Sequence, residues 1–541
     1  MLLIFQALEA ILLRTASDLS HFSVVGMNIV KKLIHSYMKL IYAALYSENC
    51  KMSRGCLTLL SAMVAQGPDS ARDVYSHFDF NNKYLPGLLK KGFKKGKTDV
   101  RMAYIQFALS FLIAGDNALL AQVLELRDIL RSEIKEDRVS TVHLLLSTLR
   151  TKVVHNKSIS KTQKVRFFTA EVLLHIASLY RWNGITDVSP EDCKVAQGSE
   201  EVGKAMVREL VHSFLIDLCC SLKHGITFYD PSLGTSGKGG NVVLLHFLLG
   251  LRTATEDEMV ADLLVNILKV CPDLLNRYFK ETHYSFVPRV TSAWMDNMRL
   301  LKKIYEAQPD ISNSFKTSEF IPLPRLLSML PSTVVKHSIL SLVSMVLRRA
   351  LRNIEHCLSE ETWQRSQIYT LPAVQEFVQL YREAVSKVLP DMNNLVSVWQ
   401  SLLKQKREHT DGPAEQKEGD VSAVKAMTET EVAEQHGIVT EKGSREEVPP
   451  LLQHHILKVA LELPANKFAW FRVQDIAETE KISGKKSVFY LLMKMFVTST
   501  HSHLKISTKK LIIKILLKLV TNPYPYTDKA ADLVQEASML Q

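Results

Sequence analysis

The chain has 541 residues, 46% hydrophobic and 23% charged, with 67 Lys and Arg against 56 Asp and Glu, for a net charge of +11 and a pI near 9.1. That length exceeds what one compact core holds, so several domains or an elongated array are expected. Seven cysteines with no CxxC and no framework spacing exclude a disulfide scaffold and indicate a reducing compartment, with the thiols acting as small core residues. No apolar run is long enough to span a membrane.

The chain opens with an apolar stretch, Met1 to Leu19, that has no positive residue before it and is interrupted by Glu9. It is therefore read as an amphipathic helix carrying Phe5, Leu8 and Leu12 rather than as a secretory signal. It lacks a capping residue, as expected of a chain that starts inside an array. Between Lys83 and Lys97 there are six basic residues and no acid. Lys91-Gly92-Phe93 within that run begins like an RNA-recognition signature, but Lys94 follows where a small residue belongs. Met102 to Ala114 reads as a buried helix.

A second acid-free run, Arg138 to Ala170, holds seven Lys or Arg. Its Lys157, Lys161, Lys164 and Arg166 are candidate phosphate contacts, because exposed helices normally gain support from i, i+4 ion pairs and this segment forgoes them. Phe168, Val172, Ile176, Leu179 and Tyr180 then follow a helical period. Adjacent Cys219 and Cys220 match no metal or redox spacing. The glycine-rich Gly234 to Gly240 resembles a phosphate loop in composition, but Gly239 follows Lys238 where a hydroxyl is needed, so a helix connector is expected.

Further along, Ile339, Leu342, Val343, Val346, Leu347 and Ala350 mark a helix, and Arg348, Arg349 and Arg352 near its C-terminal end are further RNA-contact candidates. Arg325 to Arg352 contains five basic residues and no carboxylate. Residues 408–447 reverse the sign, with eleven acids against Lys417, Lys425, Lys442 and Arg445. With Gly412-Pro413, Gly419, Gly437 and Gly443 and no sustained period, they are expected to form a disordered acidic linker. From Lys481 to Thr527 there are nine lysines and no acid. There Ile512, Ile515, Leu516 and Leu519 form one helix face, while Lys510, Lys514 and Lys518 form a ridge on another, between a Ser507 cap and an Asn522-Pro523 stop.

Short breakers, Gly67-Pro68, Gly115-Asp116, Asn183-Gly184, Cys271-Pro272, Pro309-Asp310 and Leu330-Pro331, separate these helices. Helices joined so closely bury their faces against sequential neighbours. The predicted fold is therefore all-α, an elongated α-solenoid of HEAT- or armadillo-like helix pairs, although no strict repeat is visible. The expected domains are residues 1–403, a linker at 404–449, and a continuing helical segment at 450–541. No HExxH, GxSxG or Rossmann fingerprint occurs, and His454-His455 and His501-x-His503 lack further ligands in metal spacing. No enzyme, cofactor, metal or small-molecule substrate is proposed from the sequence.

Five runs carry a resemblance: KTQKVRFFTAEVLLHIASLYRWNGITDV (161–188), CSLKHGITFYDPSLGTSGKGGNVVLLHFLLGL (220–251), KTSEFIPLPRLLSML (316–330), EEVPPLLQHHILKVALELPANKF (446–468) and SVFYLLMKMFVTST (487–500). In this order they resemble the N-terminal region of the nucleolar pre-ribosomal-associated protein 1 family. The resemblance implies a nucleolar α-solenoid scaffold in large ribosomal subunit (60S) assembly and rRNA processing. It also implies binding to pre-ribosomal RNA and to assembly factors that include a DEAD-box helicase. Family members are several-fold longer. The chain departs from them around Leu330 to Val334, which looks shortened, and at the acidic linker, where they carry further apolar helices. The resemblance transfers no catalytic residue. The competing class is a protein-only helical adaptor of the transport-receptor kind, but a groove for basic cargo should be lined by acids, and here the helices are basic.

Overall fold

The computed structural model describes residues 1–380 except 81, 91–98, 124–133, 187–195, 229–240, 283, 285–290, 309–332, 359–369, 377 and 379. The described residues are helical and contain no β-strand, as the 3.6-residue periods predicted. Two compact units divide the chain, Met1–Glu281 and Thr282–Gln541. The linker and its flanking boundaries, the Gly234 to Gly240 loop, the Lys91-Gly92-Phe93 run and both histidine pairs lie outside the described residues.

In the first unit, α1 (Leu2–Ser17), α2 (Leu19–Leu45), α3 (Cys50–Val64) and α4 (Pro68–His77) lead through the short α5 (Leu85–Leu89) to α6 (Val100–Ala114) and α7 (Asn117–Val123). Helix α1 buries Phe5 and Leu12 and has no side-chain cap. Helix α3 lies against α1, α2 and α6. Gly26 of α2 permits a close approach, since a Cβ there would collide with Oε1 of Gln66. Gln66 is buried, donates through Nε2 to Leu12 O at 2.7 Å and to Ala62 O at 3.0 Å, and accepts from Thr15 Oγ1 at 2.8 Å, so one satisfied amide ties α1 to α3 beneath α2. The predicted Gly67-Pro68 break is real. Gly67 takes φ +116°, which favours glycine, and Pro68 occupies the first turn of α4.

Helix α6 is apolar almost all round, burying Val100, Ile105, Phe107, Leu109 and Phe111 among others, and Asp99 caps its start by accepting from Met102 N at 2.9 Å. It is the buried helix expected from Met102 to Ala114; no helix among the described residues is long and apolar enough to cross a membrane.

Next come α8 (Val139–Leu149), which runs into a π-helical turn at Arg150–Val154, then α9 (Lys161–Phe167), α10 (Ala170–Ala177), a 3-10 turn at Ser178–Arg181 and α11 (Ala196–Cys220). The unit closes with α12 (Val242–Gly250), α13 (Glu258–Val270) and α14 (Leu275–Glu281). The residues predicted from Phe168 to Tyr180 are all buried, but the helix begins later, at a Thr169 cap, and tightens to 3-10 geometry before Tyr180. In the second unit, α15 (Ser292–Ala307) packs on α16 (Thr333–Leu358), which buries Ile339, Leu342, Val343 and Ala350 as the period required.

Cys56, Cys219 and Cys271 are buried core residues, as expected of free thiols in this chain. Burial pushes the Cys56 and Cys220 thiols up to about 12 and raises those of Cys219 and Cys271. A raised folded-state value means the native state keeps protons that the unfolded chain releases near pH 8.5, so stability is full below that pH and falls above it. Each thiol should contribute a slope of about 1.4 kcal/mol per pH unit. The unfolding midpoint should therefore drop on going from pH 8 to about 10, and Cys56→Ala should flatten the drop. A flat alkaline limb in the wild type would contradict this account.

Candidate nucleic-acid interface

The basic run from Arg138 to Ala170 folds into a corner. Ser160 and Gln163 form a capping box that fixes the start of α9, and the helical turn then sets Lys161 and Lys164 on neighbouring positions of one side. Both reach inward. The Lys164 ammonium donates to Val154 O at 2.6 Å and to His224 O at 2.9 Å, and that of Lys161 donates to Thr227 O at 2.7 Å and to Leu222 O. Lys164 is only 4% exposed. Desolvation lowers the proton affinity of both, and for Lys164 the neighbouring Lys161 charge lowers it further.

Burial therefore corrects the expectation that Lys164 meets phosphate: its ammonium satisfies carbonyls at the end of the π-helical turn and in the segment after α11, while that of the half-buried Lys161 is engaged with carbonyls of that same segment. Lys157 and Arg166 do stand at the surface, as does Lys223 in the segment that the lysines hold. Arg150 and His155 meet on one carboxylate, with Nε of Arg150 2.9 Å and Nε2 of His155 2.5 Å from Oδ2 of Asp217. The His155 ring lies 5.1 Å from that of His224. Desolvation, followed by the His155, Lys223 and Lys164 charges, holds the His224 proton affinity down. This part of the corner has an excess of positive charge over the single Asp217.

The arginines of α16 divide in the same way. Arg349 is 2% exposed and donates through Nη1 to Glu306 O at 3.1 Å and through Nη2 to Gln308 O, which closes the C-terminal end of α15. Its assignment as an RNA contact is therefore corrected as well. Arg348 and Arg352 are exposed, with Nε of Arg348 3.4 Å from Ser344 O. Lys510, Lys514 and Lys518 lie outside the described residues. Among the described residues no group of His, Cys, Asp or Glu is arranged to hold a metal ion.

One basic element was missed by the sequence reading. From Leu19 to Ser47 the chain has three lysines, Lys31, Lys32 and Lys39, and no Asp or Glu. The signal was the same absence of acids, but it is diluted over a 27-residue helix whose other residues are mostly apolar. All three lysines are exposed.

Comparison with known proteins adds the context for these surfaces. Residues 1–297 match the family model described as Npa1, ribosome 60S biogenesis N-terminal. The nucleolar pre-ribosomal-associated protein 1 of Homo sapiens is 54% identical over 636 aligned residues that cover 100% of this chain and 28% of the relative. That of Mus musculus is 52% identical over 637, again with 100% and 28% covered. The chain thus spans about 28% of the length of these curated relatives. The aligned span is longer than the 541 residues present, so the relatives carry internal residues that this chain lacks. No solved structure matches.

Proposed function

This chain belongs to the Npa1 family of 60S ribosome biogenesis proteins, and on that premise we propose that it is a non-catalytic, nucleolar scaffold that binds pre-ribosomal RNA and assembly factors, among them a DEAD-box helicase. A helix-pair solenoid is the architecture proposed for this role, since sequential packing would present many faces to RNA and protein at once. The observation that carries the RNA reading is the separation of the cations. Where a lysine or arginine is needed for packing, as with Lys164 and Arg349, the fold buries it. Lys157, Arg166, Arg348 and Arg352 remain at the surface, in stretches that contain no acid between Arg138 and Ala170 or between Arg325 and Arg352. A polyanion neutralises such surfaces without any base-specific geometry.

The test is binding of the full chain to a pre-rRNA fragment across a salt series. A log-log plot of affinity against salt should slope steeply downward, and changing Lys510, Lys514 and Lys518 together to Gln should reduce the slope by up to about 2 units. The loss should be uniform across RNA sequences, because lysine contacts to phosphate position a strand without reading it. Binding that is absent, or insensitive to salt, would sink the RNA reading.

A further inference from the structure

The outer face of α2 combines charge with aromatic rings in one line. Lys31, His35, Lys39, Tyr42 and Tyr46 follow i+4, i+4, i+3 and i+4 steps, and Lys32 lies on the same side of the helix, so they share one stripe about 22 Å long. The segment after α4 extends the stripe sideways. His77 sets its ring 5.7 Å from that of His35, and Phe78 stacks on Tyr42 with centroids 5.8 Å apart. Tyr42 and Tyr46 are nearly parallel, 6° apart in plane, and Tyr84 closes on Tyr46 at 5.6 Å. Tyr84 is the outermost ring, 58% exposed, and Lys83 places its ammonium 5.2 Å from the Tyr84 centroid.

The rings are held by more than contact. The Tyr42 hydroxyl accepts from Asp79 N at 2.8 Å and donates to His77 O at 3.3 Å, so the row is anchored to the backbone that follows α4. Asp79 is the acid whose charge reaches Tyr42 and Tyr46. The aromatic side thus carries one acid, Asp79, and one cation, Lys83, whereas α2 carries three lysines and no acid.

We propose that this face is a binding track for an unpaired RNA strand, with phosphates along Lys31, Lys32 and Lys39 and a base stacked on Tyr84. It deepens the RNA-scaffold reading, on which it rests, by naming the class of RNA. The physical reason for choosing a single strand is that an exposed ring gains stacking energy only from a base already free of its own stack, whereas a duplex offers grooves and phosphates alone. Helix α2 contains no acid to repel the strand, and three lysines on one side match a backbone better than a protein partner that would need carboxylates in fixed positions.

The test uses the full chain with an unstructured RNA oligonucleotide and with a perfect RNA duplex of the same length. Tyr84→Ala should weaken binding of the unstructured strand about 5-fold or more and leave both its salt slope and duplex binding unchanged. Tyr84→Phe should bind like the wild type, because the ring is kept. Lys32→Gln with Lys39→Gln should lower the single-strand salt slope by about 1.4 units. These lysines are exposed, so that variant remains informative even if Tyr84→Ala perturbs folding. A wild type that binds neither RNA would overturn the scaffold reading and the track together. A wild type that binds, with all three variants indistinguishable from it, would overturn the track alone and leave the face to a protein partner. Equal losses on single strand and duplex in Tyr84→Ala would overturn the stacking assignment.

Discussion

Asp137→Asn is expected to lower the stability of the first unit, by about 3–5 kcal/mol at most, because it takes the carboxylate charge of a buried ion pair away from the Arg101 guanidinium. Arg101 extends from the start of α6 and is 4% exposed as a residue. Its Nε and Nη2 reach the two Asp137 oxygens at 2.6 and 2.7 Å, and Nη1 reaches Leu89 O at 3.2 Å. A guanidinium cannot shed its proton, so the Asn variant has no means of removing the charge. The reciprocal change should be milder. Burial already pushes the Asp137 carboxyl up against the opposing pull of Arg101, so in Arg101→Met the acid can neutralise itself by binding a proton.

The sign follows from that direction. A carboxyl raised in the folded state favours folding at low pH and opposes it as pH rises through the raised value, so Arg101→Met should regain stability on acidification from pH 7 to about 5. Arg101→Met with Asp137→Leu together should recover most of the loss, since an apolar replacement removes both charges. Trp182, 3% exposed and donating through Nε1 to Asp137 O at 2.8 Å, provides a fluorescence reporter at this node for a urea titration. A wild-type midpoint for Asp137→Asn would refute the argument.

Lys164→Met is expected to cost about 2–5 kcal/mol, since it strips two charge-assisted bonds from the buried carbonyls of Val154 and His224. The same change should leave the RNA salt slope as it was. Lys157→Gln with Arg166→Gln should do the opposite, reducing the slope with a stability change within about 0.5 kcal/mol. A second signature comes from titration. The folded-state affinity of Lys164 for its proton is lowered, so between that lowered value and the ordinary lysine value near 10.4 the unfolded chain holds more protons and stability rises with pH. Lys164→Met should remove that contribution. If it instead lowers the salt slope in a chain that melts like the wild type, Lys164 belongs to the interface after all.

Much of the helical framework was legible from local signals. Gly67-Pro68, Gly115 and Cys271-Pro272 fall at helix ends, and the apolar periods from Phe168 to Tyr180 and from Ile339 to Ala350 correspond to buried faces. The candidate interface was legible only in outline. Absence of acids marked stretches that hold both exposed and buried cations, and it could not separate Lys164 from Lys157 or Arg349 from Arg348, because a long cationic side chain can run along apolar surface in either direction. The α2 stripe escaped for a related reason. Its lysines are sparse along the chain, and Lys83 and Tyr84 join the stripe only after α4 has turned the chain back beside α2.

The sequence by itself determined that the described part of this protein is helical and that positive charge exceeds negative on several of its segments. Both are properties of short windows, set by side-chain period and local composition. Tertiary structure decided which cations stay in water. The carbonyl that claims Lys164 lies 60 residues away at His224, and the one that claims Arg349 lies 41 residues away at Gln308. An orphan carbonyl buried by packing draws an ammonium or guanidinium out of solvent, because leaving that oxygen unpaired costs more than desolvating a cation that can satisfy it. No spacing within a single helix records where such a carbonyl will come to rest.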